Sequence, residues 1–167
     1  IIAWFLSPVC VCFFMPSNID FKIVNRRLTE AEIAFLIREI KKTPMIAGFS
    51  AQEWRKFEEI FVAEVDGRIA GTIVLSHLPF GWMRITAFFV LKKYRGKGVG
   101  SKLFDTAYDL IVKNKKKAYV ASYDTAVIHK MQEKDMWLTG NFFGVPLRGA
   151  VFNIGFGMRP YRIFEHF

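Results

Sequence analysis

The sequence predicts a three-layer α+β domain: a mixed, mostly antiparallel central sheet of six to seven strands with one parallel pair, flanked by about four helices. Three features point to it. Two capping boxes open helices early in the chain, and three apolar runs divided by tight turns form a meander. A glycine-rich loop then joins the last run to an amphipathic helix, so that the next strand must return parallel to the one before the loop.

The elements follow in order. Residues 21–28 alternate weakly and read as a first strand. Thr29 with Glu32 is a capping box, and Ile33, Leu36, Ile37 and Ile40 then share one helical face, which Thr43-Pro44 ends. Ser50 with Glu53 is a second box, opening a short helix with Trp54 and Phe57 on its inner side. Residues 60–65 form a strand, Asp66-Gly67 a hairpin turn, and residues 69–75 the return. Pro79-Phe80-Gly81 marks the next turn. Residues 82–91 are long and mostly apolar, as in a central strand. After the loop, Val99, Leu103, Ala107, Leu110 and Ile111 fall at helical spacing. Residues 118–122 read as a strand, and Asp124 or Thr125 caps a helix to about Met136. Residues 137–143 and 151–158 complete the sheet, with Phe152, Ile154, Phe156 and Met158 alternating cleanly and Pro160 ending the pattern.

Of 167 residues, 52% are apolar and 16% aromatic, with 18 Phe, which suits a deep apolar groove or a patch used in association. The net charge of +9 concentrates in residues 92–102 and 113–117, at the two ends of one helix. The first run makes a basic mouth that would steer an anion. The second reads as a solvated helix end, matched to the negative pole of the helix dipole. No nucleic-acid recognition motif accompanies them, so a nucleic-acid partner is not expected. Cys10 and Cys12 form no disulfide framework, and His77, His129 and His166 have no zinc spacing, so no metal is expected.

Residues 1–14 are strongly apolar, yet Pro8 and Pro16 interrupt the stretch before it reaches the ~20 residues of a membrane span. A secretory leader would need a positive start and a clear cleavage site, and neither stands out. The expected division is an apolar extension over residues 1–18 and a compact domain over residues 19–167, cytoplasmic and without a membrane span.

Residues 95–100 read Arg-Gly-Lys-Gly-Val-Gly between strand and helix. Three glycines bare the backbone, and the helix start adds its positive pole, which together make a phosphate cradle. A P-loop would need Lys-Ser/Thr after Gly100, where Ser101-Lys102 stands reversed. The dinucleotide fingerprint would need glycine at Ser101. With Val90 through Tyr94 before it, the segment resembles the acetyl-CoA motif of the GNAT N-acetyltransferase superfamily, Val-x-Pro-x-Tyr-Arg-Gly-x-Gly-x-Gly, with Lys92 where proline is usual. The element order over residues 19–160 is also similar to that fold.

The resemblance implies a strand pair that splays apart to admit acetyl-CoA as cosubstrate. The pantetheine arm would pair near Phe89 and Val90, with the pyrophosphate on the amides of Arg95, Gly96, Lys97, Gly98, Val99, Gly100 and Ser101. A primary amine would attack the thioester directly in a ternary complex, with the Val90 N–H as the implied oxyanion donor. The family's usual acid, a tyrosine, falls on Gln132, so Tyr123 or His129 is the candidate acid. Glu64, His77 or Asp124 is the candidate base, although Glu64 reads first as an ordinary strand residue facing solvent. The acceptor would be a small molecule or peptide amine, its pocket drawn from the first helices and from the aromatic loops 78–82 and 139–149. A homodimer is allowed. A non-catalytic acyl-CoA-binding module of the same fold is the alternative.

Overall fold

The computed structural model describes residues 19–43, 48–122 and 124–136. Among them the order is β1 (Lys22–Asn25), α1 (Glu30–Lys41), α2 (Ala51–Lys56), β2 (Glu59–Val65), β3 (Arg68–Leu78), β4 (Trp82–Val90), α3 (Val99–Lys113), β5 (Lys117–Val120) and α4 (Thr125–Glu133). The five strands make one sheet in sequence order, antiparallel from β1 to β4 and parallel between β4 and β5. The class and the four helices agree with the sequence reading. The sheet has five described strands rather than six or seven, because the expected strands at 137–143 and 151–158 lie outside the described residues, as do Tyr123 and the tail over residues 1–18.

Local chemistry sets the element boundaries. The Thr29 side chain accepts from the Glu32 N–H and Glu32 Oε2 accepts from the Thr29 N–H, while Ser50 and Glu53 repeat the exchange at α2. Asp66 and Gly67 have φ of 51° and 70°, the left-handed pair that a two-residue hairpin requires. Asp124, not Thr125, caps α4, accepting from the N–H groups of Ala126 and Val127.

The sheet separates two apolar layers. On one face α1 and α2 bury Ile33, Leu36, Ile40 and Trp54 against Val62, Val74, Ala87 and Phe89. On the other, α3 buries Val99, Leu103, Phe104, Ala107 and Ile111 against Ile73, Leu75, Met83 and Ile85. Tyr94 packs against both layers. At roughly 25 cal/mol per Å² of apolar surface removed from water, these layers supply most of the drive to fold.

Candidate functional site

Two features of β4 open a cleft. The strand pairs with β5 only from Trp82 to Ile85, whereas its pairing with β3 continues to Val90. Where the β5 pairing stops, Ile85 opposes Leu75 and Ala87 opposes Val74, leaving Thr86 as an extra residue, a bulge. A bulge bends its strand, which here turns β4 away from β5. Beyond Ile85, no described strand covers that edge of β4.

The direction of the open edge follows from one hydrogen bond. The Leu91 N–H donates to Ala70 O at 2.9 Å. In an antiparallel ladder the bonded pairs alternate, so Phe89 directs its polar groups at Thr72 of β3. Phe88 and Val90 therefore present theirs to the cleft. The Val90 carbonyl there accepts from Arg95 Nε at 2.9 Å. The motif pointed to Phe89 and Val90, and the register turns the polar backbone groups of Phe89 toward β3 and those of Phe88, which the motif did not single out, toward the cleft.

At the foot of this edge lies the glycine loop. Leu91 O accepts from the Tyr94 N–H at 2.8 Å, closing a tight turn, and the chain then runs through Gly96 and Gly98 at φ of 72° and 80°. A side chain would be strained in that left-handed region, although space alone would admit one: nothing lies within 4 Å of either Cβ position. Gly98 is the N-cap of α3, and the first intrahelical donor is Lys102 N, bonded to Gly98 O at 3.0 Å. None of the amides of residues 96–101 donates to an acceptor among the described residues. The loop is thus a row of bare donors at the positive end of a 15-residue helix. Lys92, Lys93, Arg95, Lys97 and Lys102 flank it in sequence, and residues 67–104 contain no Asp or Glu.

The other candidates are scattered. Glu64 is 8% exposed, not solvent-facing: alternation along β2 sets it on the face of Ile60 and Val62, and the extra residue of the second bulge is Ala70 on β3. Its carboxylate accepts from Arg26 Nε and Nη2 at 2.9 and 2.8 Å and lies 3.1 Å from Lys22 Nζ. Those bonds, Arg26 first, hold its pKa below the ordinary range. The same Arg26 forks onto Glu32 at 2.8 and 2.6 Å, which drives the Glu32 pKa down to about 2. His77 is exposed at the far end of β3. His129 is exposed on α4, its Nδ1 3.0 Å from Glu133 Oε1. Asp124 is engaged as a helix cap. A groove of about 660 Å³ between α1 and the Leu91–Lys93 turn is lined by Glu32, Phe35, Arg68, Lys92 and Lys93. None of residues 95–101 lines it, so it is separate from the glycine loop.

Among the described residues no three His, Cys, Asp or Glu side chains gather as a metal site, and no helix is long and apolar enough to cross a membrane.

Comparison with known proteins agrees with this geometry. A search of curated proteins gives no match. Among solved structures, a Neisseria gonorrhoeae N-acetylglutamate synthase, complexed with coenzyme A and N-acetyl-glutamate, superposes with TM-score 0.66 at 17% identity. The match covers 81% of this chain but 33% of that one, so the chain spans about a third of the synthase. A Mycobacterium tuberculosis protein in complex with CoA matches with TM-score 0.62 at 14% identity, over 86% of this chain and 87% of its own. A GNAT family acetyltransferase from Elizabethkingia anophelis with acetyl-CoA bound gives 0.52 at 14% identity, over 75% and 79%. At such identities the likeness is one of fold. The model of the acetyltransferase (GNAT) family matches residues 26–132, nearly two thirds of the sequence and all of the cleft, and the chain belongs to that family.

Proposed function

We propose that the chain transfers an acetyl group from acetyl-CoA to a primary amine. The observation that carries this reading is the row of undonated amides over residues 96–101, set at the foot of β4's open edge. A diphosphate on those N–H groups, framed by Arg95 and Lys97, would leave the pantetheine arm to run along the open edge of β4, with its thioester held against the Val90 N–H. The acetyl-CoA-bound relative supports the same cosubstrate.

The acceptor must first lose a proton, since an ammonium has no lone pair. Its nitrogen then attacks the thioester carbon and forms the C–N bond. The oxyanion that results is stabilised by the Val90 N–H, which alternation aims into the cleft. Collapse breaks the C–S bond, the thiolate takes a proton from Tyr123 or His129, and the new amide nitrogen sheds its surplus proton, which restores that acid. Holding amine and thioester together supplies on the order of several kcal/mol. Among the candidate bases, Glu64 and Asp124 are already committed to Arg26 and to the α4 cap, so His77 is the one carrying no local bond. The acceptor is an amine of a small molecule or peptide, as in the synthase structure that holds CoA with an N-acetylated amino acid. The unit would span residues 19–167 and work in the cytoplasm.

The engaged carboxylates also favour a second reading, a non-catalytic acyl-CoA-binding module. Calorimetry with acetyl-CoA followed by an amine panel read by free-thiol release separates the two. Micromolar binding with turnover is expected. Binding without turnover selects the module, and no binding at millimolar coenzyme refutes both.

A further inference from the structure

We infer that the groove between α1 and the Leu91–Lys93 turn is a second ligand site, suited to a single carboxylate carried on an apolar body. The groove holds about 660 Å³, a volume typical of small-molecule sites, and none of residues 95–101 lines it. Its apolar lining is Phe35 of α1, Ile69 of β3 and Leu91 just after β4. Ile69 and Leu91 are buried and Phe35 is half-buried, and all three belong to the layer between α1 and the sheet. The groove is thus an opening at the margin of that core, on another side of β4 from the cleft.

Charge decides what can fill it. Two carboxylates and three cations line the groove, and they are not matched to each other. Glu32 is held by the Arg26 fork at 2.8 and 2.6 Å, and Glu39 by Lys42 Nζ at 2.7 Å; neither Arg26 nor Lys42 is part of the lining. Arg68, Lys92 and Lys93 are exposed, and none of them forms an ion pair with a carboxylate among the described residues. Lys93 Nζ instead lies 4.7 Å from the Tyr94 ring centroid. Once the two acids are set against their own partners, three cations without a counter-charge remain beside an apolar surface.

That balance selects among ligands. An amine or polyamine would need an open carboxylate, and both are engaged. A bare inorganic anion would leave Phe35, Ile69 and Leu91 uncovered. A polyanion would answer the cations but press its further charges against Glu32 and Glu39. One carboxylate meets the cations without that repulsion, and the Arg68 guanidinium has the planar fork that such a group accepts in two bonds. An aliphatic or aryl body can then cover the apolar lining.

The test is calorimetry of the full chain with decanoate as the probe. Decylamine keeps the body and reverses the charge, decyl phosphate adds a second charge, and acetate keeps the charge without the body. Decanoate is expected to bind with a Kd on the order of hundreds of micromolar, as suits a ligand of its size. The three comparison compounds should each bind at least about fivefold more weakly, and hexanoate about tenfold more weakly for its missing CH₂ groups. Arg68→Glu, at an exposed position that does not endanger the fold, should weaken decanoate by about tenfold or more, whereas Arg68→Lys, which keeps the charge and loses the fork, should cost about two- to threefold. Acetyl-CoA should bind whether or not decanoate is present. Four outcomes overturn the inference: no binding of decanoate at millimolar concentration, decylamine or decyl phosphate binding as tightly, Arg68→Glu leaving decanoate affinity unchanged, or acetyl-CoA displacing decanoate.

Discussion

The glycine loop and the β1–α1 junction are both crowded with polar groups, and they handle them in opposite ways. At the junction four charges are tied together: Arg26 bonds Glu32 and Glu64, Glu64 also meets Lys22, and Glu32 caps its helix. At the loop, residues 96–101 leave their amides unbonded among the described residues, and Arg95, Lys97 and Lys102 stand in a stretch, residues 67–104, without Asp or Glu. Saturated networks hold a fold in one shape. Unsaturated ones store binding energy until a ligand completes them. Damage to the two regions should accordingly separate into lost stability and lost coenzyme affinity.

Gly98→Glu should give the largest effect. It puts a carboxylate among the donors and an L side chain at φ 80°, so acetyl-CoA affinity measured by calorimetry should fall at least a hundredfold. The stability cost should be only ~1–2 kcal/mol. Equal losses of both would erase the contrast between the regions.

Gly71→Ala comes next and tests the position that joins them. A Cβ there would stand 2.9 Å from Phe89 O and 3.1 Å from both Leu103 Cδ1 and Val90 Cγ2. Backbone cannot yield cheaply, so β4 and α3 should be pushed apart at a cost of about 2–3 kcal/mol, with a several-fold loss of coenzyme affinity. Denaturant titration and calorimetry on one sample read both.

Arg26→Met should act on stability alone. It strips the buried Glu64 of its main partner while Lys22 remains, for a loss of about 2 kcal/mol in urea and no change in acetyl-CoA affinity. A drop in affinity would mean that the junction reaches the cleft.

Acid titration gives the smallest effect. The Glu32 carboxyl lies at about 2 against an ordinary 4.5, and Glu64 is also lowered. A depressed value in the folded state lends stability that is full above the unfolded value and is lost as pH falls toward the folded one. Stability should therefore decline between about pH 5 and pH 2 by roughly 1–2 kcal/mol, discounted for partial exposure. Arg26→Met should flatten that decline.

What the sequence disclosed was local. Capping boxes exchange bonds within four residues, the Asp66-Gly67 turn needs two left-handed residues, and the loop is contiguous, so each is written in neighbouring letters. What it concealed depends on register. Glu64 was read as facing solvent, yet it sits on the face of Ile60 and Val62, where the β1–β2 pairing brings Arg26, 38 residues away in sequence, onto its carboxylate. The same limit hid Phe88, whose orientation follows from a bulge and one ladder bond, and hid the meeting of Trp82 with Lys117. The acid and base were left open for a further reason. Tyr123 lies outside the described residues, and His77, His129 and Asp124 sit on different elements, whose approach to a substrate depends on the substrate itself.

The single surplus residue at Thr86 has an inheritance of its own. Before it, Met83 and Ile85 face α3, and after it, Phe88 and Val90 do, so odd positions hand over to even ones. Any lineage that deletes one residue from this strand swaps inside for outside over its whole second half, whereas the turn at residues 79–81 can change length freely. Variation in homologous chains should therefore accumulate at that turn and spare the strand's length, a frame as strict as that of codons.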